Sequence, residues 1–106
     1  MKKFLILASF LLATPALAVN NYYNPQLKNA YVDTCNFYGS DQICGTEAAW
    51  TAAHAFCQIK TGGEAIRIRT YRKNNSAPVQ KFSLNTRRFE WHTSTWQYVF
   101  RFISCS

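Results

Sequence analysis

Acid–base chemistry is the first that the side chains suggest, because a carboxylate and an imidazole stand two residues apart. Glu90 and His92 would point the same way on a strand, with Arg88 two residues earlier. One of the pair could take the 2′-hydroxyl proton of a phosphodiester and the other could protonate the leaving oxygen, while an arginine stabilises the developing charge. A solvated strand face carries the same residues without any chemistry. The spacing gives a hypothesis of a small cationic ribonuclease-like hydrolase, as the alternative to a non-catalytic protein.

A second group of side chains combines cations with aromatic rings. Arg67, Arg69 and Tyr71 alternate along one segment and so share a strand face, and Arg101 belongs to a strand of the same predicted sheet. Further cations lie within or beside that sheet, namely Arg72, Lys73, Lys81, Arg87 and Arg88. This combination suits an anionic glycan, a lipopolysaccharide headgroup or nucleic acid. The competing interpretation is a solvated outer face. We expect a non-catalytic binding module for such a polyanion or for a protein partner.

Other catalytic and cofactor chemistry finds no support in the sequence. A glycine-rich phosphate loop and a serine in a nucleophile elbow are both lacking. The five carboxylates are scattered, at Asp33, Asp41, Glu47, Glu64 and Glu90. The cysteine spacings of 9, 13 and 48 residues contain no zinc knuckle. We therefore expect neither a metal nor a cofactor.

Four cysteines, Cys35, Cys44, Cys57 and Cys105, predict two disulfides. Cys44 precedes a predicted helix and Cys57 lies inside it, which separates them by roughly 15–20 Å. A disulfide needs Cα atoms within about 7 Å, so Cys44–Cys57 is disfavoured. Two pairings stay open: Cys35–Cys57 with Cys44–Cys105, or Cys35–Cys44 with Cys57–Cys105. Either one ties the helix region to the C-terminal strand.

The N-terminal residues have the pattern of a secretory signal peptide over residues 1–18. Lys2 and Lys3 precede an apolar run at 4–13, and Ala16 and Ala18 form a small-x-small cleavage pattern. Cleavage after Ala18 would leave 88 of the 106 residues and lower the formal net charge from +7 to +5. We expect a mature monomer that is secreted or periplasmic, where disulfides form, and that has no transmembrane segment.

One helix and several strands must position these side chains. Thr46–Lys60 has an alanine-rich apolar face, Thr46 at the N-cap position and glycines at 62–63 to end it. A two-residue period marks strands at 64–72, 79–84, 88–93 and 96–104, and a short strand precedes them at 30–35. Their short connections predict an antiparallel meander.

The predicted fold is α+β, with one Ala-rich helix packed on a four- to five-stranded, mainly antiparallel sheet. The last strand is expected in the centre of the sheet. Residues 19–28 are polar and broken by Pro25, which predicts a flexible leader, and residues 29–106 form a single domain fixed by two disulfides.

The cysteine contexts carry a resemblance. The sequence reads VDTC at 32–35, CGTEAA at 44–49, FC at 56–57 and ISC at 103–105. It resembles a family of small secreted modules of bacteria and plants with the pattern VDxC, CGxxAA, FC and a terminal IxC-like cysteine. The resemblance implies no activity and no site residues, because none is established for the family. Its members carry a further cysteine pair in the strand region, which residues 64–104 lack.

Overall fold

The computed structural model describes residues 18–74, 77–93 and 96–106, without the side chains of 72–74 and 96–97. The predicted signal peptide lies outside the described residues except for Ala18. The elements in chain order are β1 (Asn20–Tyr23), β2 (Gln26–Leu27), β3 (Ala30–Tyr38), β4 (Asp41–Ile43), α1 (Thr46–Lys60), β5 (Ala65–Asn74), β6 (Val79–Ser83), β7 (Arg88–His92) and β8 (Trp96–Cys105). One helix on a mostly antiparallel sheet confirms the α+β class, but the sheet has eight strands rather than four or five.

Helix α1 has the predicted bounds, Thr46–Lys60. Its N-cap is Gly45 rather than Thr46, and no side chain caps the first turn. Gly45 has a φ of 123°, a conformation that only glycine adopts readily. At the other end Gly62 has a φ of 75° and donates its N–H to the carbonyl of Cys57 at 3.1 Å. The helix buries a narrow face of small residues around one aromatic ring: Ala48, Ala49, Ala52, Ala53, Phe56 and Cys57.

Strand β8 is central, as predicted. It pairs antiparallel with β5 along its whole length, with β1 near its end, and with β3 at Val99. The meander was wrong, because β5 does not lie beside β6. Instead β3 lies between β8 and β6 and pairs with β6 in parallel. β3 is buried over residues 32–36, so it needs neighbours on both edges, which a strand at the edge of a meander would lack.

Within residues 19–28, where the sequence predicts a flexible leader, the structure has the short strands β1 and β2. Two tyrosines explain the difference, because they alternate across the sheet. The Tyr22 ring packs edge-on against Phe56, with centroids 5.2 Å apart. The Tyr23 ring lies on the opposite face against Phe102, at 5.0 Å. These contacts anchor β1 to α1 on one face of the sheet and to β8 on the other, although its asparagines are polar.

Two disulfides are present and all four cysteines are used. Cys35 is bonded to Cys44 and Cys57 to Cys105, with Cα atoms 4.4 and 5.4 Å apart. This is one of the two pairings left open by the sequence, and it ties α1 to β8. The core between α1 and the sheet lies beside the second bridge, around Val32, Phe56, Phe82, Phe100 and Ile103. No helix of the described chain has the length and apolarity that crossing a bilayer would need.

Candidate functional site

The four predicted binding residues lie on one face of the sheet, opposite α1. Arg67, Arg69 and Tyr71 alternate along β5, and the first two are exposed while Tyr71 is half-buried. Arg101 is the extra residue of a bulge in β8, directly across from this segment. The bulge brings its guanidinium carbon 4.3 Å from the centre of the Tyr71 ring. We call these four residues the arginine–tyrosine surface.

The neighbourhood of this surface contains aromatic rings and no carboxylate on its two strands. Neither β5 nor β8 contains an aspartate or a glutamate. Tyr23, 71% exposed, extends the face on the far side of β8, where it packs against Phe102. The backbone of Arg101 is fixed, because its carbonyl accepts the N–H of Asn24 at 2.7 Å. The surface therefore offers one positioned cation, Arg101, and two exposed cations beside aromatic rings.

A groove on the other face of the sheet, the α1 side, includes Arg69 among its lining residues. It has a volume of about 730 Å³ and lies between the start of α1 and β5. Trp50 and Tyr98 supply aromatic walls, and Tyr98 is 44% exposed. Hydroxyl groups of three threonines, Thr34, Thr46 and Thr70, lie among its lining residues. Aromatic rings and hydroxyl groups in a single groove are among the groups that hold a sugar.

Three of the remaining cations, Lys81, Arg87 and Arg88, do not belong to this surface. Lys81, grouped with them in the sequence analysis, is buried instead of exposed. Arg87 and Arg88 are exposed at the β6–β7 turn, away from the β5–β8 strand pair. The side chains of Arg72 and Lys73 lie outside the described residues. The predicted basic face is therefore smaller than the sequence suggested.

Lys81 forms a buried ion pair with Asp33. The Lys81 Nζ lies 3.6 Å from Asp33 Oδ2, donates to the amide oxygen of Gln42 and sits 4.8 Å from the centre of the Phe37 ring. The other carboxylate oxygen of Asp33 accepts the N–H of Cys35 at 2.7 Å. Burial raises the pKa of Asp33, and the Cys35 N–H and the Lys81 charge only partly offset it. Burial likewise lowers the pKa of Lys81 in spite of the nearby carboxylate.

The residues of the hydrolase hypothesis do not meet in one cavity. Glu90 accepts the hydroxyl of Thr86 at 2.7 Å, and with Arg88 it lines a shallow cavity of about 590 Å³. His92 is not among the residues of that cavity. Its ring packs edge-on against Phe37 at 4.5 Å, and burial, followed by the Lys81 charge, lowers its pKa. The hydrolase therefore stays a hypothesis without a shared pocket to support it.

Two features of the structure could not be predicted from the sequence. One is the Asp33–Lys81 pair, for which the only signal was a lysine between Val79 and Ser83 on the same strand face. The other is an apolar cavity beside the β6–β7 hairpin, which includes Gln80. Strand alternation places a residue on a face but does not show what covers that face. The burial of Lys81 and of Gln80 could therefore not be predicted from the pattern.

Comparison with known proteins adds no assignment. The sequence matches no protein-family model, and neither a curated protein nor a solved structure is significantly similar to it. The resemblance to secreted cysteine-containing modules stays a prediction. Function is therefore inferred from the surfaces of this chain alone.

Proposed function

We propose that this chain is an exported, non-catalytic binding module whose arginine–tyrosine surface holds an anionic polymer. The observation that carries the proposal is the Arg101 guanidinium stacked on Tyr71, on a strand pair that contains no carboxylate. A stacked guanidinium keeps its N–H donors free at its edge, where they can bind sulfate, phosphate or carboxylate oxygens. The preferred ligand is an acidic glycan or a lipopolysaccharide headgroup.

The spacing of the cations suits a repeating anion. Arg67 and Arg69 are two residues apart on one strand, so their Cα atoms are separated by roughly 6.6–6.8 Å. Arg101 adds a third cation from the neighbouring strand. No carboxylate on β5 or β8 competes for these guanidinium groups. Three cations on one face produce a field that attracts a polyanion and weakens as salt is added.

Two observations favour a glycan over nucleic acid. The groove on the α1 side of β5 combines the rings of Trp50 and Tyr98 with threonine residues, a lining that suits a sugar ring better than a row of stacked bases. The two disulfides fit an oxidising compartment, where surface glycans are met more often than nucleic acid. We place nucleic acid and a protein partner after the acidic glycan.

Retention on immobilised heparin tests the proposal. We expect the wild-type chain to elute only at raised salt, and Arg67→Gln/Arg69→Gln to elute much earlier. The slope of log affinity against log salt should fall by about two, because two anion contacts are lost. Lys60→Gln/Arg88→Gln is the matched control, since it removes the same charge from exposed positions outside the surface.

The outcome separates a site from general basicity. If both double variants lose retention equally, the chain binds heparin through its net charge alone and the proposed surface is wrong. If the Arg67/Arg69 variant keeps its retention, the surface is also refuted. Titration with lipopolysaccharide and with single-stranded DNA then orders the ligands, and a preference for DNA would overturn the glycan assignment.

A further inference from the structure

An apolar cavity lies between the second half of α1 and the β6–β7 hairpin, far from the arginine–tyrosine surface in the sheet order. Its volume is about 550 Å³, which is in the range of small-molecule sites. Leu27, Ile59, Phe82 and Phe89 form its apolar walls. We propose that this cavity binds a single-chain amphiphile with a carboxylate headgroup, such as a fatty acid. The site is independent of the proposed polyanion surface.

A buried amide in the cavity has an unmet hydrogen bond. Gln80 lines the cavity and is 1% exposed, and its Nε2 has no hydrogen-bond partner in the described chain. A buried donor without an acceptor is costly, and native proteins rarely leave one. A ligand oxygen entering the cavity would accept from this amide. The unmet donor thus indicates a headgroup that is an acceptor.

Cations surround the entrance. Lys28, Arg87 and Arg88 line the cavity, and none of its lining residues is acidic. The Arg87 guanidinium carbon lies 5.8 Å from the centre of the Phe82 ring, and Phe82 packs edge-on against Phe89 at 5.2 Å. A cation directly over an aromatic wall is the arrangement that an amphiphile needs, since the charge holds the headgroup where the apolar surface begins. The rim therefore selects a negative headgroup.

Two of these cations occupy backbone conformations that disfavour a side chain. Lys28 has a φ of 51° and Arg87 a φ of 59°, both in the left-handed region where glycine or asparagine is usual. Lys28 belongs to the two-residue turn between β2 and β3, and Arg87 to the turn between β6 and β7. Long cationic side chains at two such positions on one rim indicate that their charges bind the ligand headgroup.

The walls explain the preference for a chain over a compact anion. Ile59 is 60% exposed at the cavity, on the last turn of α1, where an alkyl chain would cover it. A carboxylate is planar, so it can accept from an arginine fork and from the Gln80 amide at the same time. A free phosphate or acetate would use the rim and leave the apolar walls exposed.

Calorimetric titration with dodecanoate, below its micelle concentration, tests the inference on the disulfide-bonded chain. Dodecyltrimethylammonium has the same chain with the opposite charge, acetate is the headgroup alone, and dodecyl phosphate is the other anionic source. We expect saturable binding of dodecanoate, no saturable binding of dodecyltrimethylammonium or acetate, and binding of dodecyl phosphate that is at least several-fold weaker than that of dodecanoate. Gln80→Met should weaken dodecanoate about tenfold, because a hydrogen bond to a charged group is lost while the shape is kept. Arg87→Gly, which relieves its backbone, should weaken it by about threefold or more.

Lys60→Gln is the control, because Lys60 is a cation at the end of α1 that does not line the cavity. Its affinity should stay within about twofold of wild type. Equal binding of the cationic and anionic amphiphiles would overturn the headgroup assignment, and unchanged affinity in Gln80→Met would overturn the role of the amide. Tighter binding of dodecyl phosphate than of dodecanoate would overturn the assignment of a carboxylate headgroup. Loss of heparin retention by the Arg67/Arg69 variant, with dodecanoate binding intact, would show that the two sites are separate.

Discussion

Replacing Lys81 by methionine tests the energetics of the buried pair. At 3.6 Å and an effective dielectric of about 20, the attraction between Lys81 and Asp33 is about 5 kcal/mol. Burying each ion costs several kcal/mol, so the two desolvation costs together outweigh the attraction. The pKa directions agree with this balance, because burial is the largest influence on both groups. Lys81→Met leaves a buried carboxylate without its cation, and we expect it to lower the free energy of unfolding by about 3–5 kcal/mol at neutral pH.

The second substitution removes the other charge without breaking the backbone contact. Asp33→Asn keeps an oxygen that accepts the N–H of Cys35, and Lys81 keeps Gln42 and the Phe37 ring. In Asp33→Asn/Lys81→Met neither charge is buried, so most of the loss seen in Lys81→Met should be regained. The coupling energy between the two substitutions should be about 2–3 kcal/mol.

The pKa directions of Asp33 and Lys81 predict how the free energy of unfolding changes with pH. Because the pKa of Asp33 is raised above 3.8, the folded state holds this proton more tightly, and stability falls as pH rises through the window above 3.8. Because the pKa of Lys81 is lowered below 10.5, the unfolded state holds that proton more tightly, and stability falls as pH drops through the window below 10.5. The deficit of Lys81→Met should therefore shrink in acid, as Asp33 becomes neutral.

Urea unfolding of the oxidised proteins at acidic and neutral pH gives these energies. Arg67→Met is the control, since removing an exposed cation should change stability by about 0.5 kcal/mol or less. Additive single and double losses would refute the reasoning, and so would a Lys81→Met deficit that does not change with pH.

Three further outcomes are expected. His92→Ala and wild type should leave RNA equally uncleaved, and cleavage by wild type alone would revive the hydrolase. Replacing Cys57 and Cys105 by alanine should lower the free energy of unfolding by roughly 4 kcal/mol, because their disulfide closes a loop of 48 residues. Removing the Cys35–Cys44 disulfide, which closes a loop of 9 residues, should lower it by about 2.5 kcal/mol, and thermal or urea unfolding measures both. Gly63→Ala should cost about 1–3 kcal/mol, because its Cβ would lie 2.2 Å from the backbone oxygen of Ser106; an unchanged unfolding midpoint would contradict that contact.

Local signals in the sequence were sufficient for α1 and for β5 to β8, but not for β1, β2 and β4. The apolar period and the glycines after Lys60 fixed α1 to the residue, and alternation located β5 to β8 within about two residues. The order of the strands in the sheet could not be predicted from local signals. Nothing in the sequence between β5 and β6 or between β7 and β8 shows that β3 lies between β8 and β6, because strand order depends on which apolar edges remain to be covered.

In the candidate surface, too, some positions could be predicted from local sequence and others could not. A period of two placed Arg67, Arg69 and Tyr71 on one face, which the structure shows. Arg101 reaches that face only through a bulge, and no residue pattern in β8 predicts that bulge. Lys81 has the same strand context as an exposed lysine, and only the tertiary fold shows that Asp33 and Phe37 cover it.

The cost of the buried pair is best explained by strand register. β3 and β6 pair in parallel with an irregular register between Val32 and Asn36, so their backbone hydrogen bonds define the alignment only weakly. A shift of either strand by one residue would turn Lys81 or Asp33 to the other face and leave two unpaired buried charges, at several kcal/mol each. A one-residue slip would thus cost more than the pair costs in the native alignment. Because β3 connects β8, which carries Arg101, with β6, which carries Gln80, the same restraint positions both proposed sites.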